Sequence, residues 1–125
     1  MYLERIREFI KKGEVLFEEA RRDLEIGCYN KAVSAAYFSV EAFANVLLFI
    51  KRQKTRGFRS RVNVIRSLLG EEVGEIMENL HRKRSEADHY EKIMTREDAE
   101  EAIKVSRKLI NKIKEYLQKI EPDIF

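Results

Sequence analysis

Ala32-Val33-Ser34-Ala35-Ala36-Tyr37-Phe38-Ser39-Val40-Glu41-Ala42-Phe43-Ala44 decides the fold. The run belongs to a helix predicted over about Asn30 to Arg52, continuing through Leu47 and Leu48. Its apolar residues occupy most of the helix circumference. A helix that is apolar on several sides must be buried on several sides. It is therefore expected at the centre of a bundle, with its alanines and Ser39 allowing neighbours to approach closely. Glu41 is the one acid between Lys31 and the end of this helix. It reads either as a solvent-facing or capping residue or as a pocket-facing carboxylate.

The flanking sequence supplies the neighbours. Leu3, Ile6, Phe9, Ile10, Leu16, Phe17, Ala20 and Leu24 recur at threes and fours, predicting a first helix from about Leu3 to Ile26 with Gly27 as its C′ stop. Gln53 to Arg59 reads as a loop. A short helix is predicted near Ser60 to Leu69, ended by Gly70. A fourth spans about Glu71 to Asp88, with an acidic first turn that suits the positive end of the helix dipole. Tyr90 to Met94 reads as a connection. Thr95 then caps a last helix, with Asp98 as the reciprocal acid of a capping box.

The 125 residues include one proline, Pro122, and five glycines. So few breakers leave little for hairpins, and an all-α fold follows. The expectation is one domain, residues 1–125, folded as an up-and-down helical bundle of about five helices, four long and one short.

Charged residues make up 38%, against a usual value of about 25%. Enrichment in Glu, Lys and Arg suits ion-paired helix surfaces and leans toward a thermophile. The single cysteine, Cys28, excludes an internal disulfide and reads as a structural thiol. Two histidines and one cysteine, widely separated, make no metal cluster, so no metal or cofactor is expected. No glycine-rich phosphate loop or nucleophile elbow is present. The most apolar run, Ala42 to Ile50, is shorter than the roughly 20 residues of a membrane span. Without a signal segment, the expectation is a soluble cytoplasmic protein with no membrane partner.

Net charge is only +3, but the charge is clustered. Lys51 to Gly70 holds seven basic residues and no acidic one, and Arg82, Lys83 and Arg84 form a second group. Such clusters either attract phosphate or form a solvated face paired to acids of other helices.

The chemistry concentrates in Arg84-Ser85-Glu86-Ala87-Asp88-His89-Tyr90. Cleaving RNA without a metal needs a base for the 2′-hydroxyl proton and a cation against the charge growing on phosphate. Neutral His89 suits the first role and the Arg84 guanidinium the second. Tyr90 can stack on a base or donate to phosphate, and Arg82 and Lys83 can add phosphate contacts. The alternative is an i,i+4 surface pair of Arg84 with Asp88 and a solvated His89 at a helix end. On a continuous helix, residues five apart sit about 140° apart, so Arg84 and His89 converge only if the helix ends or distorts near Asp88. His81, the other histidine, reads as a surface residue or part of a phosphate patch.

In order and spacing, four segments resemble the HEPN domain (higher eukaryotes and prokaryotes nucleotide-binding), in its small stand-alone prokaryotic form. They are Ala20 to Leu24 with Gly27 to Val33, Ala35 to Ala44, Arg84 to Tyr90, and Thr95 to Ala99. The resemblance implies an α-helical homodimer. In active members, an R-x4-6-H motif from each subunit faces a cleft at the dimer interface. Those members are metal-independent RNases, often toxins neutralised by a small nucleotidyltransferase partner. By this resemblance Arg84 is the phosphate binder and His89 the proton-transfer group, and RNA or nucleotide is the ligand. The alternative it implies is a non-catalytic interaction module that binds the nucleotidyltransferase. The chain departs from R-x4-H-x-Y, since Tyr90 directly follows His89 and Glu91 takes the next place. Ala87-Asp88-His89-Tyr90 also looks like the Ala-Asp-Tyr of histidine-free members with a histidine inserted.

Overall fold

The structure is a computed structural model that describes residues 2–125. It is all-α: α1 Tyr2–Glu25, α2 Tyr29–Ile50, α3 Gly57–Leu69, α4 Glu71–His89 and α5 Arg96–Ile120, followed by a short 3-10 turn, Pro122–Ile124. Four helices are long and α3 is short, as the sequence predicts.

α2 is the core helix and packs against each of the other four. Val33, Ala36, Tyr37, Val40, Phe43, Val46 and Leu47 are all buried along it. By length and composition α2 is also long and apolar enough to cross a membrane, which the Ala42 to Ile50 run alone understates. In the bundle 61% of that apolar window is buried against the other helices. Close approach is specific. A Cβ on Gly13 of α1 would lie 2.6 Å from the Phe43 ring, and the buried Ser39 hydroxyl donates to the Gly13 carbonyl at 2.7 Å. Across the opposite interface, buried Ser106 of α5 donates to the Ala36 carbonyl at 2.9 Å. Each serine thus spends its polar group on a neighbouring helix, which removes the cost of burying it.

The helix ends follow local chemistry. Gly27, at φ +83°, closes α1 in a Schellman motif: its N–H donates to Leu24 O and that of Cys28 to Asp23 O. α2 closes the same way, with Arg52 and Gln53 donating to Phe49 O and Leu48 O, but here Arg52 takes the left-handed φ of +54°. That conformation costs a non-glycine residue about 1 kcal/mol. α3 begins at Gly57, three residues before its predicted start. The Ser60 hydroxyl accepts from the Arg56 N–H at 2.8 Å and holds that first turn, a signal that apolar periodicity does not carry. The capping box at α5 forms as predicted: Thr95 Oγ1 accepts from Asp98 N, and Asp98 Oδ2 accepts from Thr95 N at 2.9 Å.

Candidate functional site

α4 runs through His89 and stops at Tyr90, one residue later than expected. The helix does not break between Arg84 and His89, yet Arg84 Nη1 lies 3.3 Å from His89 Nε2. The length of the arginine makes the convergence. Its guanidinium turns back along the helix end, seated 5.0 Å from the Phe38 ring centre and 5.5 Å from that of Tyr37. These aromatic faces on α2 hold the cation in place. The Arg84 side chain is only 19% exposed, while His89 is exposed. The arginine Nε, 3.7 Å from Asp88 Oδ2, makes no hydrogen bond. The i,i+4 pairing with Asp88 and the approach to His89 therefore coexist. Ser34 fixes the carboxylate by donating to Asp88 Oδ2 at 3.1 Å.

Asn30, in the first turn of α2, determines where this helix end lies. Its Nδ2 donates to Ala87 O at 2.9 Å and to Lys92 O at 3.1 Å, and its Oδ1 accepts from Met94 N at 2.9 Å. One side chain thus ties the last turn of α4 to the middle and far end of the following connection. Met94 is buried by the same clamp, whereas Tyr90 (69%), next to His89, and Ile93 (83%), further along the connection, remain exposed.

The structure brings together Arg84, His89, Asp88 and the neighbouring Tyr90. It sets Arg82 and Lys83 elsewhere. Arg82 donates to Asn79 at 2.8 Å and Lys83 lies 3.9 Å from Asp98, and both line the groove between α4 and α5. Arg82 and Arg84 are two residues apart, about 200° around the helix, so they face opposite sides of α4.

Behind Arg84 lies a second polar cluster. Glu41 is neither a cap nor a solvated residue: its Oε2 accepts from the Tyr37 hydroxyl and from Arg61 Nη1, each at 3.0 Å. Burial first, then the Glu41 charge, pushes the Tyr37 phenol far above its ordinary range. His81 stacks on Phe58 with ring centres 3.7 Å apart and meets the edge of Tyr37. Burial, followed by the charge of Arg84, holds its imidazole below the usual value. The basic run of α3 is largely matched to acids. Arg61 pairs with Glu41, Arg66 with Glu78 and Glu71, and Arg59 with Glu78. Among the described residues there is no group of three or more His, Cys, Asp or Glu placed to hold a metal ion.

Asn30, Ser34 and Phe38 are the residues that sequence reasoning missed. Their signal was positional: they lie on α2 at successive spacings of four, on the side that turns toward the end of α4.

Fold and site together define an all-α bundle protein that carries an Arg–His pair at a helix end. The chain belongs to the HEPN domain family, which matches over residues 6–116. Among solved structures it is similar to the crystal structure of TT1696 from Thermus thermophilus, with a TM-score of 0.77. The two are 23% identical over 90% of this chain and 98% of that one, a likeness of fold. No curated protein matched the chain significantly. Family membership supports a nucleotide- or RNA-related function, or that of a HEPN module.

Proposed function

We propose that the protein binds and cleaves RNA without a metal, as a homodimeric HEPN toxin held in check by a nucleotidyltransferase partner. The observation that carries this reading is the 3.3 Å approach of Arg84 Nη1 to His89 Nε2. Arginine has only donors, so Nε2 accepts, and the neutral ring carries its proton on Nδ1. A phosphate seated on Arg84 competes for the same N–H and releases Nε2 as a base. His89 then takes the 2′-hydroxyl proton, the 2′-oxygen attacks phosphorus, and the 5′-oxygen leaves. Arg84 faces the charge that grows on the phosphate oxygens through its Nη donors. Exposed Tyr90, next to His89, and exposed Ile93 in the same connection support pairing with a second copy, which would cover them and turn the open helix end into a cleft.

The test is digestion of total RNA by the purified protein in EDTA. Cleavage by the wild type and none by His89→Ala is the expected result. Equal digestion by both, or by neither, removes the catalytic reading.

A second reading is favoured by Asp88. Its carboxylate, oriented by Ser34, sits beside Arg84 and repels phosphate. On this reading the protein is a non-catalytic module whose work is to bind the nucleotidyltransferase, and it co-purifies with that partner while leaving RNA intact.

A further inference from the structure

The groove between α4 and α5, about 490 Å³, is lined by neither Arg84 nor His89. Two matching stripes build it. α4 contributes Ile76, Asn79, Leu80 and Lys83, and α5 contributes Glu101, Lys104, Val105 and Lys108. Each set is spaced i, i+3, i+4, i+7, so each is a single helix face. The apolar members Ile76, Leu80 and Val105 line the interior. Arg82, Lys83, Lys104 and Lys108 bring four cations to the rim against one acid, Glu101. Lys83 and Lys108 reach toward Asp98 and Glu72, at 3.9 and 3.5 Å. Arg82 and Lys104 have no acidic partner among the described residues.

We propose that this groove docks an acidic amphipathic helix of a partner protein. The spacing gives the shape: two helix faces side by side offer a trough for a third, over about 10 Å or roughly two turns. The charge gives the chemistry: an apolar stripe fills the trough while flanking Asp and Glu side chains meet the cationic rim. RNA fits less well, because no lining residue is aromatic and a base would have nothing on which to stack. The groove shares no lining residue with the Arg84–His89 pair, so the docking stands whether or not that pair cleaves RNA.

The probe is a labelled helical peptide of about 14 residues, with leucines at i, i+3, i+4 and i+7 and glutamates on both flanks. A control carries the same leucines with lysine flanks, and a short single-stranded RNA serves as competitor. The glutamate peptide is expected to bind the full chain, with amide shifts confined to residues 76–83 and 101–108. The double variant Arg82→Glu/Lys104→Glu is expected to weaken it by about tenfold. Both positions are exposed, so the thermal midpoint should fall only slightly, and the shift map on wild type stands independently of the variant. Absence of binding, equal binding of the lysine peptide, shifts mapped elsewhere, or displacement by RNA overturns the proposal. So does a change of oligomeric state in the double variant, which would make the groove a contact between copies.

Discussion

Arg84 and His89 lie five residues apart on one unbroken helix, yet their side chains meet at 3.3 Å. The contact exists because Phe38 and Tyr37 give the guanidinium a surface at the end of α4, and because the helix stops directly after the histidine. The convergence of this Arg–His pair is set by what stands beside the helix as much as by the helix itself.

Asp88 is the group most at odds with anion binding. It is 3.7 Å from Arg84 Nε, with its side chain 29% exposed. Partly exposed pairs contribute about 0.2–1 kcal/mol, so Asp88→Asn should tighten affinity for a short RNA by up to about fivefold. Fluorescence anisotropy at low salt measures this. Unchanged or weaker affinity would mean that the carboxylate positions Arg84 rather than opposing phosphate.

Asn30 makes three hydrogen bonds that hold the end of α4 and the connection to α5. Asn30→Ala leaves the Ala87 carbonyl and the Met94 N–H without those partners. Loss of about 1–3 kcal/mol is expected in urea unfolding. Amide exchange should accelerate at residues 90–94 before it does in α2. Uniform acceleration across the bundle would show that Asn30 is only a general packing residue.

His81 gives stability a pH dependence. Its folded-state value lies below the ordinary 6.5, so below that pH the unfolded chain binds the proton more readily. Stability should therefore be constant in this respect above pH 6.5 and fall as pH drops toward the folded-state value. The slope contributed cannot exceed about 1.4 kcal/mol per pH unit. His81→Phe keeps a ring against Phe58 and should flatten the fall below pH 6.5. An identical slope in wild type and variant would assign the effect to other groups.

Gly13 marks the closest approach of α1 to α2. An added methyl would meet the Phe43 ring at 2.6–2.7 Å. Gly13→Ala should therefore destabilise by about 1–3 kcal/mol, although alanine is the better helix former by about 1 kcal/mol. A second change, Phe43→Leu, should recover part of the loss when combined with it. A stabilised Gly13→Ala chain would mean that α1 shifts outward at little cost.

Much of the fold is legible because its signals are local. The apolar circumference of α2, the glycine stop at Gly27 and the reciprocal cap of Thr95 and Asp98 each act within a few residues of where they are read. The start of α3 escapes the apolar pattern because Ser60 holds that turn through a hydroxyl. The basic stretch from Lys51 to Arg66 reads as a candidate phosphate surface. The acids that match Arg59, Arg61 and Arg66, namely Glu41, Glu71 and Glu78, come from α2 and α4, and no pattern within the stretch announces them.

The candidate site divides the same way. The sequence alone determined that Arg84 and His89 stand near the end of one helix, with Tyr90 next to them, because helix ends follow local periodicity and capping. Only the tertiary structure decided that the two side chains converge. Backbone geometry separates them by about 140°, and the arginine crosses that angle on the aromatic faces of another helix. The tertiary structure also separated Arg82 and Lys83 from the pair and gave them to the α4–α5 groove. Adjacent residues on a helix point to different sides, and what waits on each side is set by chain segments far away in sequence.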